Sequence, residues 1–245
     1  MKKYKLTNET IVHFGFTLYR IEALMDFSDV KAGDKGGFVQ SEDNLSQLGN
    51  AWVYDNAKVY GNAKVYGNAK VYGNAKVRDY AKVYGKAEVR GDAFVCGNAW
   101  VYGNAKVYDN AGVYGNAFVC DYAVVYGNAK VYDNAEVYGN AFVCDYAGVY
   151  GNAKVRDYAK VYGNAKVRGD AKVYKNSDYI VFKNWWSSGR YFTWTRSNKM
   201  WKVGCFYGNG EELIKKAYAD SEESGREYER VVKYVESILA DEFNK

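Results

Sequence analysis

Twenty-one consecutive hexads fill residues 51–176 without insertion or deletion, opening AWVYDN AKVYGN AKVYGN and closing AKVRGD AKVYKN. Alanine holds the first place of each, from Ala51 to Ala171, and valine the third, from Val53 to Val173. In A-x-V the two apolar side chains stand at i and i+2. On an extended strand they point to one side and the residue between them, most often Lys, to the other. Tyr, Arg or Cys follows the valine, then Gly-Asn, Asp-Asn or Asp-Tyr, residue types that tolerate left-handed backbone and turn the chain. Each hexad is a short strand and a corner. A six-residue spacing matches neither 3.6 nor 3.5, which excludes a helical repeat, and a propeller needs units of about forty residues. A strand this short cannot bury its apolar face alone, so it must stack on its neighbours. Three strands and three corners close a coil of eighteen residues, and the repeat predicts seven such coils.

Valine burial alone does not offset the entropy of ordering this much backbone, so hydrogen bonds between coils and side-chain ladders must supply the rest. An Asn ladder needs Asn at eighteen-residue spacing. Asn98, Asn116, Asn134 and Asn152 meet that condition, whereas Tyr80 follows Asn62 and Asp170 follows Asn152. Short Asn runs are expected, not a continuous column.

The phrase V-Y-G-N-A-K resembles the hexapeptide-repeat β-helix superfamily, which implies a left-handed winding. The spacing itself does not fix the hand, and the usual right-handed preference of crossovers points the other way. Upstream, DFSDVKAGDKGGFV, then NLS and GNAWVYDNA, resemble the opening of the YdcK-like hexapeptide-repeat proteins of bacteria and prophages. That likeness implies a cytoplasmic β-helix with no assigned reaction. The fold class read here is mainly β: a single-stranded, three-sided β-helix with an N-terminal β cap and a small C-terminal α+β domain.

Residues 1–50 form the cap and irregular first coils. Apolar and polar residues alternate to residue 28, with Asn8-Glu9 and Gly15 as turn candidates, and a β-hairpin or small sheet covers the open solenoid end. Val39 and Leu45 fall on the alanine register, placing the start of coiling near Val30. From Ser177 the register stops. SDYIVFKN, RYFTWTR and KMWKVGCFY predict three strands over 177–245. A helix from Glu211 to Ala219 follows, then a longer one from about Glu222 to Phe243, with Asp220 and Glu223 as a capping pair. Tyr228, Val231, Val232, Val235, Ile238 and Leu239 form its apolar stripe.

The net charge is +5, and the hexads alone carry +6. A basic surface attracts nucleic acid or another polyanion, but Lys is also the ordinary solubilising residue on exposed strands, and corner Asp dilutes the field. No uninterrupted apolar run at the start reads as a signal peptide, and none approaches a membrane span. Cys96, Cys120 and Cys144 lie 24 apart, one coil plus one face, so they project from different walls and cannot bridge. Free thiols point to the cytoplasm, and no C-x-x-C metal spacing occurs.

The resemblance also implies acyl transfer as an option, since many such repeat proteins are acyltransferases that generally use a His base and bind their acyl donor between coils of a trimer. The single His, His13, lies in the cap, and the repeat has no extruded loop. Corner Asp residues do not recur at eighteen-residue spacing, so they form no cation site: Asp79 is followed by Gly97 and Gly115. No catalytic residue, metal site or cofactor is assigned. What remains is recognition. In the middle coils the outward place of Lys is taken by Phe94, Trp100, Phe118, Val124 and Phe142, with Gly112 and Gly148 opening space beside them. Clustered at mid-height, these read as a homo-oligomer interface, or as residues packing under the terminal domain. The terminal domain offers Trp185, Trp186, Arg190, Tyr191, Trp194 and Arg196, the residue types that anchor protein partners. The reading is a non-enzymatic scaffold presenting this domain to a protein; if the phage likeness holds, it modulates or inhibits a host factor. The alternatives are a polyanion-binding protein and a degenerate acyltransferase.

Overall fold

Every hexad forms a two-residue strand ending at its valine, from Trp52–Val53 to Lys172–Val173. Strands three hexads apart pair in parallel, so Trp100 faces Phe118 and Val101 faces Val119 across the eighteen-residue step. Three parallel walls result, carrying Val53 to Val161, Val59 to Val167 and Val65 to Val173. Trp100 N–H donates to the Ala117 carbonyl and Tyr102 N–H to the Val119 carbonyl, both at 3.0 Å. Each repeat alanine and valine is at most 1 % exposed. The computed structural model describes residues 1–243 and divides the chain between Asn176 and Ser177 into two units.

The corners explain why Gly and Asp alternate there. This place takes a positive φ, 69° at Gly115 and 59° at Asp133, which glycine adopts freely and Asp tolerates. The coils are also close: a Cβ on Gly115 would stand 2.9 Å from the Asp133 nitrogen. Among the described residues, six corner aspartates from Asp55 to Asp145 accept a hydrogen bond from the glycine N–H eighteen residues on, as in Asp133 to Gly151 at 3.2 Å. Asp at one level is thus tied to the glycine backbone of the next.

Side-chain ladders run where the spacing allows. Amide bonds step from Asn98 to Asn116, Asn134 and Asn152, and end on Asp170. The place after valine adds a second set not foreseen in the sequence: Tyr66, Tyr84 and Tyr102 stack with ring centroids 4.8 and 5.0 Å apart, and so do Tyr114, Tyr132 and Tyr150. Arg90 lies over Tyr108 and Arg168 over Tyr150.

The cap is a hairpin of β1 (Tyr4–His13) and β2 (Phe16–Ala23), continued by β3 (Lys35–Val39). Its turn is Phe14-Gly15, both at positive φ; Asn8-Glu9, the other expected turn, lies inside β1 beside an irregularity in its pairing. β3 pairs antiparallel with β2 and parallel with Lys58–Val59, and so joins cap to solenoid. Coiling starts at this strand, not at Val30, which sits in a tight bridge with Phe27. Val39 and Leu45 pair with Val59 and Val65, so they occupy the valine place and not the alanine place. Two extra residues before Gly49 shift the register.

Three devices close the first coil, whose carbonyls have no earlier coil to meet. On one wall β3 itself donates, Phe38 N–H to the Ala57 carbonyl at 2.9 Å. On the second, the buried Asn44 side chain donates to the Gly61 and Ala63 carbonyls, each at 3.0 Å. On the third, Lys3 Nζ reaches the Gly49 and Ala51 carbonyls at 3.2 and 2.9 Å and lies over the Phe27 ring.

The second unit is a four-stranded antiparallel meander, Tyr179–Lys183, Tyr191–Thr195, Met200–Val203 and Phe206–Gly208, followed by α1 (Gly210–Asp220) and α2 (Glu222–Phe243). The segment expected as one third strand is a hairpin, because Gly204 at φ 52° turns it. Asn209 and Glu212 form the capping box of α1. Ser221 caps α2 through Oγ, which accepts from Ser224 N–H at 3.1 Å, in place of the expected Asp220. Phe192, Trp194, Trp201, Val203 and Leu213 meet Val232 and Val235 of α2 in the core, with Tyr228, Val231 and Leu239 packed against it.

Candidate functional site

The expected interface residues do not form one patch. Trp100 and Phe118 adjoin on one wall in edge contact at 5.4 Å, Val124 and Phe142 pair on another, and Phe94 stands on the third. A 24-residue spacing rotates each copy by one face. The glycines leave no vacancy either. Phe94 lies over Gly112, where a Cβ would meet its ring at 2.3 Å, and Lys166 crosses Gly148. Trp100 is further covered by Lys82, whose Nζ lies 4.6 Å from the ring centroid.

His13 is half-buried on the cap hairpin, edge-on to Tyr60 at 5.5 Å. Its Nε2 is buried without a hydrogen-bond partner among the described residues. Burial first, then Lys58 and Lys76, push its pKa below the ordinary imidazole value. No cluster of three or more metal-binding side chains occurs among the described residues. Cys96, Cys120 and Cys144 are buried and unbridged, and burial raises their pKa values.

The terminal unit separates the expected anchors sharply. Trp194, 3 % exposed, is core and offers no contact surface. Tyr191 and Arg196 are half-buried on the strand that carries it and just beyond its end. Trp185, Trp186 and Arg190 lie together on the loop between the first two strands, whose last pair is Lys183 with Tyr191. Trp185 is 81 % exposed. Trp186 turns inward against Phe192 and Tyr228, with centroids at 6.0 and 5.9 Å, and its indole N–H is buried with no acceptor among the described residues.

This loop is held by a residue that the sequence reading passed over. Asn184 is fully buried. Its Oδ1 accepts from Ser187 N–H, and its Nδ2 donates to Ser187 Oγ, both at 2.9 Å. Its own N–H donates to the Arg190 carbonyl at 2.7 Å. The nearby Tyr228 hydroxyl has its pKa raised by burial, an effect that Asn184 partly opposes. Asn before a turn was the available signal, since its side chain bonds the backbone ahead of it. The loop thus holds a large aromatic ring outward with its ends fixed.

These walls and ladders define a three-sided hexapeptide-repeat β-solenoid, joined to a separate α+β unit. Over 64 residues the chain is 39 % identical to the Escherichia coli (strain K12) protein described as uncharacterized acetyltransferase YdcK, a match spanning 22 % of this chain and 19 % of that protein. No family model matches the chain. No helix among the described residues is long and apolar enough to cross a membrane.

Proposed function

We propose that the solenoid is a scaffold presenting its terminal unit to a protein partner, with Trp185 as the anchor. The observation that carries this is an 81 % exposed tryptophan on a loop whose neighbours are fixed. Tryptophan is the side chain most enriched among binding hot spots. A loop whose backbone is already held in place loses little conformational freedom on binding. The indole N–H of Trp186, buried without an acceptor among the described residues, lies beside Trp185 on the same loop.

The test is affinity capture from bacterial lysate, treated with nuclease, using the full chain and its Trp185→Ala variant. One nuclease-insensitive protein captured by the first and reduced at least tenfold with the second is expected. Equal capture by both removes Trp185 from the site. Capture lost on nuclease treatment instead makes the basic walls, binding a polyanion, the functional surface.

Self-association is assigned to Trp100 and Phe118, which pair as two aromatics on one wall; Val124 and Phe142 pair on a second wall and Phe94 stands on the third. Changing both to lysine is expected to dissociate an oligomer while leaving the circular dichroism unchanged; unaltered mass in sedimentation refutes the interface. The partial relative's description supports acyl transfer as the alternative reading. It predicts acetyl-coenzyme A turnover that His13→Ala abolishes.

A further inference from the structure

A cleft of about 340 Å³ opens between the Gly204-Cys205 turn and α1 in the terminal unit. Its floor is apolar: Val203 and Leu213 are buried, and the half-buried Tyr228 ring closes one side. Its rim is charged, with Arg190 across the turn and Lys216 and Asp220 on successive turns of α1. The Arg190 side chain crosses the glycine of the turn, where a Cβ on Gly204 would stand 3.3 Å from its Cδ and 3.5 Å from its Nε. Among the described residues none of these three charges has an ion-pair partner. Two cations beside an apolar floor are complementary to a carboxylate carried on an apolar group.

The cleft belongs to the same constellation as the tryptophan loop. Arg190 closes that loop through its carbonyl, which accepts from Asn184 N–H at 2.7 Å. Trp186 of the loop packs edge-on against the Tyr228 ring, which lines the cleft, with centroids 5.9 Å apart.

We infer that this cleft takes the C-terminal residue of a protein partner, its carboxylate between Arg190 and Lys216 and its apolar side chain on Val203, Leu213 and Tyr228. A terminal residue carries carboxylate and side chain on one carbon, so a single residue meets both the rim and the floor. The volume lies at the small end of ligand pockets, about 300–1,000 Å³, which suits a chain end better than a segment passing through. Asp220 on the same rim disfavours a second carboxylate, setting the preference at one terminal charge. This inference rests on the protein-recognition reading and extends it to the chemistry of the partner.

The probe is a synthetic N-acetylated tripeptide, Ala-Ala-Phe with a free carboxylate, titrated into the ¹⁵N-labelled full chain beside its C-terminal amide. The acid is expected to shift the amides of Gly204, Cys205 and Lys216, and amidation to weaken binding at least tenfold. Arg190→Gln and Lys216→Gln should each weaken the acid and leave the amide unchanged. Cys205, the one exposed thiol of the four, supplies an independent readout, because its maleimide adduct should block the acid. Equal affinity of acid and amide, shifts confined to other residues, or no shift at millimolar peptide each overturn the inference. Should the tripeptide fail while Trp185→Ala still abolishes partner capture, recognition stands and the cleft is not its site. Should both fail, the recognition reading falls with it.

Discussion

Replacing Ala117 by leucine is expected to lower the unfolding free energy by about 3 kcal/mol, the upper part of the range for overpacked cores. Ala117 is fully buried, stacked between Ala99 and Ala135 at the eighteen-residue step, and its carbonyl accepts from Trp100 N–H at 3.0 Å. Three added carbons have nowhere to go, because the walls are held at hydrogen-bond distance above and below. The matched control is Lys130→Leu, an exposed outward place on a strand of another wall, expected to change stability by less than about 0.5 kcal/mol. A solenoid is stabilised chiefly by contacts between adjacent coils, so the damage should be local. Hydrogen exchange is expected to quicken from about Ala99 to Val137 and to stay unchanged in the cap hairpin. Urea denaturation that finds both variants alike would show that the alanine column is not the tight side of the core.

The same register explains what was legible before the fold was known. Alanine and valine recur every six residues, and burial at that spacing leaves one architecture, so walls, coils and the Asn98–Asn152 ladder followed from counting. The Asp-to-Gly bonds were open to the same counting. The eighteen-residue step that keeps the aspartates from stacking also sets a glycine, with its backbone N–H, above each of them from Asp55 to Asp145. Counting failed where the chain leaves the period. Two extra residues before Gly49 moved Val39 and Leu45 to the valine place, and no local pattern marks such an insertion. Trp194 falls in the expected strand RYFTWTR and Trp185 between strands, but alternation does not say which face of that strand is covered; the pairing of Trp194 with Trp201 inside the sheet accompanies the buried ring. The aromatics of the middle coils misled for a related reason: neighbours in sequence by 24 residues are neighbours on no wall. In each case the deciding contact lies beyond the span over which the sequence repeats.

Lys3→Met is expected to open the solenoid at its first coil, with a pH dependence that identifies the cause. Lys3 is 3 % exposed, and its ammonium meets the buried Ala51 carbonyl at 2.9 Å and the Gly49 carbonyl of the exposed corner at 3.2 Å. Methionine fills similar space and donates nothing, so the variant should lose about 1–3 kcal/mol, the cost of the one buried acceptor left unsatisfied. Burial holds the Lys3 pKa at about 8 against an ordinary value of 10.5. The unfolded chain therefore binds the extra proton between those values, and wild-type stability relative to the variant rises with pH across that window, by at most about 1.4 kcal/mol per unit. Below pH 8 the full cost of burying the charge is present; above 10.5 it is gone, while the neutral amine keeps two N–H donors for two carbonyls. Comparison with the variant cancels the many tyrosines that titrate in the same range. The measurement is urea denaturation of both proteins at pH 7 and pH 10, with hydrogen exchange at Trp52 and Tyr54 to localise the opening. A gap that narrows as pH rises would mean that the positive charge itself, through the Phe27 ring and the carbonyl dipoles, is what closes the coil.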